Sequence, residues 1–520
     1  MNPIICTGVT GTALTRKTDA GHSNLRDRTL SPTAPRRRRA PLALVPLLLL
    51  LAISGCSMAP VAPGADAGPL AQCRWEFEQA DYDIDQAGVQ HQGLARINGF
   101  PYLRVNRFLA SFGPQLSAPE QIVTWVQHLA QLDARARRPE LYNLAATGPG
   151  LVPVAVNARL DSCRTQLVTA LLRDPEQVRQ LRLVASVPDD YLSAWRVAGL
   201  YPLSAPLVLH RVRRWHDEAM ATFSQPLDEL PVVGELTRWS ASPAYAWAPG
   251  PPQTDSHPNG WTTDALGIPR PGPERLAQLF AQYSPVWELD VQDANDVIGT
   301  PVWDGGPAFD TGTATQYQQL SYTRFGDEVL LQLSYVVWFK ARPGEDIYAG
   351  RFDGLTWRVT LGPDLQPLLY DSIHNCGCYH SFFPTPALQL RTNLPDTNFE
   401  PPLVPQPAPP GPLVVRLEHQ RHFIQRVYSL QNTHRGHPLV VTDYAVLLTL
   451  PGNRGHHSFF GRHGLVAGSE RPERFLLWPM GIRSPGAMRQ LGRHAVAFVG
   501  RRHFDDPDLI PSLFERVPAP

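Results

Sequence analysis

Charge of one sign is what this chain most lacks. Its 47 Lys and Arg are matched by 47 Asp and Glu over 520 residues. No basic stripe with interleaved aromatics appears, so the composition argues against a nucleic-acid binder. Lysine is nearly missing too: beyond residue 55 only Lys340 remains, and arginine carries almost all the positive charge. There is no apolar run of the roughly 20 residues that a membrane-spanning helix needs. Cysteine is scarce, with six in the chain. The sequence contains no H-E-x-x-H, no G-x-S-x-G, no P-loop and no dinucleotide fingerprint, so no familiar hydrolytic or nucleotide chemistry is announced.

What is present begins with an address. Arg36-Arg37-Arg38-Arg39 forms a positive region, and Pro41 to Ile53 an apolar one that includes five consecutive leucines. Small residues follow, as in secretory leaders. Ile53-Ser54-Gly55-Cys56 resembles the lipobox of bacterial lipoproteins. That resemblance implies that residues 1–55 are a signal peptide with a disordered start and that Cys56 is lipidated. Ser57, in place of aspartate, implies sorting to the outer membrane, facing the periplasm. The membrane partner is then reached through the lipid, and residues 56–72 read as an Ala/Pro/Gly-rich tether. The remaining 520 − 55 = 465 residues can hold more than one domain. With eight Lys/Arg and two Asp/Glu removed, they carry a net charge of 39 − 45 = −6.

Apolar residues recur at helical spacing from Cys73 to about Phe223. Ser117-Ala-Pro-Glu120 has the pattern of a capping box with proline in the first turn. Val208, Val212, Trp215, Ala219 and Phe223 form one stripe. A Pro/Gly-rich connector spans 241–273. Beyond it the period changes to two: the odd positions from Val329 to Phe339 are apolar and the even ones include Gln332, Ser334 and Lys340. The expected fold class is α+β, with a helical N-terminal domain over 73–240 and an antiparallel β-rich domain, sandwich or barrel-like, over 274–520.

An exported chain favours disulfides. The spacing leaves Cys73 to pair with Cys163 and sets Cys376 and Cys378 apart. The latter lie in His374-Asn-Cys376-Gly-Cys378-Tyr-His380, the densest run of soft ligands in the sequence. On a flat strand His374 and His380 would stand roughly 20 Å apart, too far to share one ion. A bend at Gly377, with His457 or His463 brought from a second loop, would let some of them converge. Three readings follow. One is a zinc or copper site drawn from His374, Cys376, Cys378, His380, His457 and His463, with a hydrolytic role among its uses. Another is a Cys376–Cys378 disulfide, structural or redox, in a non-catalytic scaffold or binding protein. The third is packing of small buried thiols. Asp353, in an Asp-Gly pair, reads as a hairpin turn.

Overall fold

Proline sets the start of the main helices. α1 (Gly68–Ala87), α2 (Pro119–Ala145), α3 (Pro153–Leu172) and α4 (Pro175–Val184) each carry one in the first turn, where its missing N–H would have no partner in any case. The expected cap of α2 falls one residue early. The helix is capped at Ala118, whose N–H is accepted by Gln121 Oε1 at 3.3 Å. Two further helices follow, α5 (Ser193–Ala198) and α6 (Tyr201–Ser224). The helical run is broken by a small hairpin, Ala95–Ile97 with Phe100–Val105, which turns at Gly99. The computed structural model describes residues 59–64, 66–148, 150–241, 261–394, 400–431 and 436–518. The expected leader, Cys56 and residues 242–260 of the connector lie outside the described residues.

Cys73 and Cys163 form a disulfide that ties α1 to α3. Beside it lies a buried cluster of charge. Asp133 on α2 accepts from Arg104 at 3.3 Å, Arg137 at 2.9 Å and Arg164 at 2.7 Å. Glu140 takes the other side of Arg104 at 2.7 Å. Burial pushes the Asp133 carboxyl up, but Arg137, Arg104 and Arg164 together hold it below the usual carboxylate range.

The second half is organised by a ten-stranded sheet. In chain order its strands are β1 (Glu235–Ala241), β2 (Val286–Val291), β3 (Thr315–Phe325), β4 (Glu328–Arg342), β5 (Gly350–Leu361), β6 (Pro367–His374), β7 (Ser381–Pro384), β8 (Leu413–Leu417), β9 (Ile424–Ser429) and β10 (His437–Asp443). They lie in the order β7-β6-β5-β4-β3-β10-β1-β2-β8-β9. The fold is α+β, and the sheet is mixed rather than antiparallel. β10 runs parallel to both β1 and β3, and β8 runs parallel to β2. The reason is topological: parallel neighbours need long connections, and each of these pairs is separated by a long stretch of chain. β1 also precedes the connector, so the first half contributes a strand to the sheet. Residues 59–520 form one compact unit.

Asp133→Ala would leave three buried guanidiniums around an empty space. We expect it to lower the unfolding free energy by about 3–5 kcal/mol, read from denaturant melts. A loss below about 1 kcal/mol would mean that the arginines reach water without it.

Candidate functional site

The alternation along β4 suggests one dry and one wet face. The structure covers both. Trp338 packs edge-on against Phe459 at 5.2 Å, and Gln332 Nε2 donates to Thr360 Oγ1 at 3.1 Å. Polar groups on the neighbouring strands are therefore buried and need partners.

Asp353 is the clearest case. It is not a turn residue: it sits inside β5 with no exposed surface. His422 Nδ1 lies 2.9 Å from its Oδ2, while Arg471 Nη2 and His374 Nδ1 approach Oδ1 at 3.3 and 3.5 Å. The glycine after it has a packing reason. A Cβ on Gly354 would stand 2.1 Å from Asn375 Nδ2, which donates to Val337 O at 3.1 Å.

β6 ends at His374, and the chain then turns sharply. Gly377 N–H donates to His374 O at 2.7 Å, and His374 N–H to Cys378 O at 3.0 Å. Gly377 takes φ +92° and Tyr379 φ +63°. This turn divides the expected ligand set. His374 faces Asp353. His380 Nε2 lies 2.9 Å from Asp371 Oδ2, and Asp371 also takes a two-pronged contact from Arg358 at 2.9 and 2.6 Å. His457 stacks on Trp303 at 4.5 Å, and His463 occupies a left-handed turn at φ +64°. Among the described residues, no group of three or more His, Cys, Asp or Glu is placed to hold a metal ion. What the turn does bring together is the thiols. Cys376 and Cys378 are both free, and Cys376 Sγ accepts the Cys378 N–H at 3.4 Å.

The surroundings set the protons. Burial pushes the Cys376 thiol up, but a side-chain hydrogen bond with the Cys378 thiol and the Arg471 guanidinium outweigh it and hold the thiol below its ordinary value. That same hydrogen bond, joined by burial, raises Cys378 well above its ordinary value. The two thiols are thus driven apart, with Cys376 the more acidic. Burial raises Glu473 to about 7, against the pull of Arg471 and Arg342. Burial lowers His374 despite the opposing pull of Asp353, which favours its neutral imidazole. His422 is raised: burial opposes its charge, but Asp296 and Asp353 on its two sides favour it.

Tyr379 borders two cavities. One, of about 80 Å³, is lined by Trp215, Phe223, Ser372, His374 and Phe423 among others. Trp215, Ala219 and Phe223 belong to the apolar stripe of α6, and that face of the helix serves as a cavity wall. The other cavity, of about 20 Å³, is lined by Cys376, Cys378, Glu400 and Ile482 among others. It has room for one or two water-sized molecules. Sequence reasoning missed Arg471 and Glu473, because an isolated charge carries no local sign of burial.

Thiolate reactivity should expose the arginine's role. The rate of Cys376 alkylation should rise with pH through a midpoint below the ordinary thiol value. In Arg471→Gln the midpoint should move up, measured by mass spectrometry over a pH series on folded protein. An unmoved midpoint would show that Arg471 does not set the thiolate.

Compared with known proteins, the chain matches no family model, no curated protein and no solved structure.

Proposed function

We propose that this chain is a lipid-anchored protein of the bacterial outer membrane, facing the periplasm, whose β-rich part carries a redox-active dithiol at Cys376 and Cys378. In this reading the helical segment 73–240 is scaffold and the segment 274–520 bears the chemistry. The lipobox-like Ile53-Ser54-Gly55-Cys56 supports the anchor. The observation that carries the chemistry is the turn itself, where the Cys376 sulfur accepts the Cys378 N–H.

The exchange such a pair performs is simple. The Cys376 thiolate attacks one sulfur of a partner disulfide, and the partner's other sulfur leaves as a thiolate. Cys378 gives up its proton and attacks Cys376 in the mixed disulfide. A Cys376–Cys378 bridge forms, and the partner leaves fully reduced. The reverse sequence passes the bridge to a partner dithiol. Zinc or copper at this turn would meet two thiols rather than the wider ligand set, since the imidazoles of His374 and His380 are turned to Asp353 and Asp371.

Equilibration with glutathione buffers of graded potential tests the pair. Free-thiol titration should show two thiols converting reversibly to none, with no conversion in Cys376→Ser/Cys378→Ser. A pair that stays reduced under oxidising glutathione would sink the redox reading. About one equivalent of bound zinc or copper, lost in that double variant, would replace it with the metal reading. The anchor is tested separately: palmitate label should enter the wild-type chain and not Cys56→Ser, and equal labelling of both would remove it.

A further inference from the structure

Large apolar side chains are rarely left in water as a contiguous patch unless something covers them. One such patch lies where the end of α5 and the start of α6 meet the turns Arg474–Leu477 and Trp478–Met480. Val197, Leu200, Leu203, Leu207, Phe475 and Leu476 are between 62% and 77% exposed. Trp478 is partly exposed beside them.

The two halves of the patch are joined. Arg196 Nε donates to Met480 O at 2.8 Å, and Leu192 N–H to Gly481 O at 2.7 Å. A Cβ on Gly199 would stand 2.4 Å from Pro479 Cβ, so the α5–α6 corner rests directly on that turn. Leu203 and Leu207 are four apart on α6 and share a face. Burying them in the protein would need a further element, and none of the described residues supplies it.

Charge says what kind of surface fits. From Ser193 to His216 there is no acidic residue, while Arg196, Arg211, Arg213 and Arg214 are all present. The last three are exposed, and Arg211 and Arg214 continue the line of Leu203 and Leu207 along α6. The first acids beyond them are Asp217 and Glu218, and Glu218 meets Arg214 at 3.6 Å. Exposed leucines and aromatics running into a row of arginines are the pattern of a helix that lies in a lipid interface.

We infer that this patch docks the protein on an anionic phospholipid surface, with its leucines and Phe475 in the acyl boundary and its arginines among the headgroup phosphates. The inference sharpens the anchored reading above. A lipid on Cys56 would lie about 12 residues before α1, and Pro60 in that stretch is already held to the body, its carbonyl accepting from Trp75 Nε1 at 3.4 Å. The patch would then hold one face of the body against the bilayer.

The test removes the lipid so that the patch acts alone. The mature chain with Cys56→Ser is mixed with vesicles of phosphatidylcholine, with or without phosphatidylglycerol, and sedimented. We expect binding to the anionic vesicles and little to the neutral ones, weakened by salt. Leu203→Glu/Leu207→Glu should lower binding at least tenfold, on the order of the apolar burial it removes. Arg211→Glu/Arg214→Glu should weaken binding to anionic vesicles alone, by roughly fivefold or more per arginine. All these positions are exposed, so melting curves should match wild type. No binding to anionic vesicles, or equal binding by the leucine variant, would overturn the inference. So would a concentration-dependent dimer that the leucine variant abolishes without vesicle binding, which would assign the patch to a second copy. Failure here would leave the palmitate result standing.

Discussion

Burying a carboxylate costs several kcal/mol unless positive partners surround it. Asp353 meets that constraint in the middle of the sheet, and much of the β-rich half is arranged around the solution. Four separate stretches of chain converge on it: β5, the end of β6 through His374, the loop carrying His422, and the segment carrying Arg471. Acidic and basic groups alternate along Asp296, His422, Asp353 and Arg471. Asp296 lies 3.5 Å from His422 Nε2 and is fixed by the Gln420 N–H at 2.6 Å. The His422 ring lies flat on Phe339 at 3.9 Å, which suits an imidazolium over a π face. Burial works against the ionised form of Asp353, yet Arg471, His374 and His422 hold its carboxyl well below the usual range.

The thiol turn inherits its geometry from this arrangement. His374, just before the turn, is fixed by Asp353. His380, just after it, is fixed by Asp371, whose other partner is Arg358. The five residues between are therefore held at both ends. Ala495 O closes them from outside, since a Cβ on Gly377 would stand 2.9 Å from it. Arg471 is common to both sites, contacting Asp353 and bearing electrostatically on Cys376. A change at the buried carboxylate is thus felt at the sulfur, through position and through charge.

Local patterns in the sequence were reliable where local physics decides. Helical spacing from Cys73 to about Phe223 could be read because proline starts and apolar stripes act within a few residues, although α1 begins at Gly68, inside the stretch expected to be tether. The Cys73–Cys163 bridge matches the pairing that cysteine spacing left. β4 was legible from the alternation between Val329 and Phe339, which lies inside the strand Glu328–Arg342. Its partners were not. The expected wet face is covered by Phe459 and its neighbours, more than a hundred residues away, and nothing in Gln332 or Ser334 signals that. Asp353 misled for the same reason: an Asp-Gly pair is a turn by local preference, and only the close approach of Asn375 to Gly354 explains it as strand. The parallel pairings of β10 depend on which strands the chain returns to, a choice that period-two alternation does not encode. His374 and His380 part company at the turn because each found a carboxylate from a neighbouring strand position, Asp353 and Asp371.

The two cysteine pairs are suited to different tasks, and chain entropy shows why. Cys73 and Cys163 are 90 residues apart. Closing a loop of that length restricts the unfolded chain by about 4–5 kcal/mol. A Cys376–Cys378 bridge closes only three residues, worth roughly 1.5 kcal/mol in the same model, before any strain in so small a ring. As a staple it would add little. The turn is already held by His374, His380 and two backbone hydrogen bonds, so a bridge there has almost no structural work left to do. A bond that contributes little to folding, formed by sulfurs beside a guanidinium, can open and close without unfolding its surroundings. That is the physical condition a redox pair must meet, and the Cys73–Cys163 bridge does not meet it.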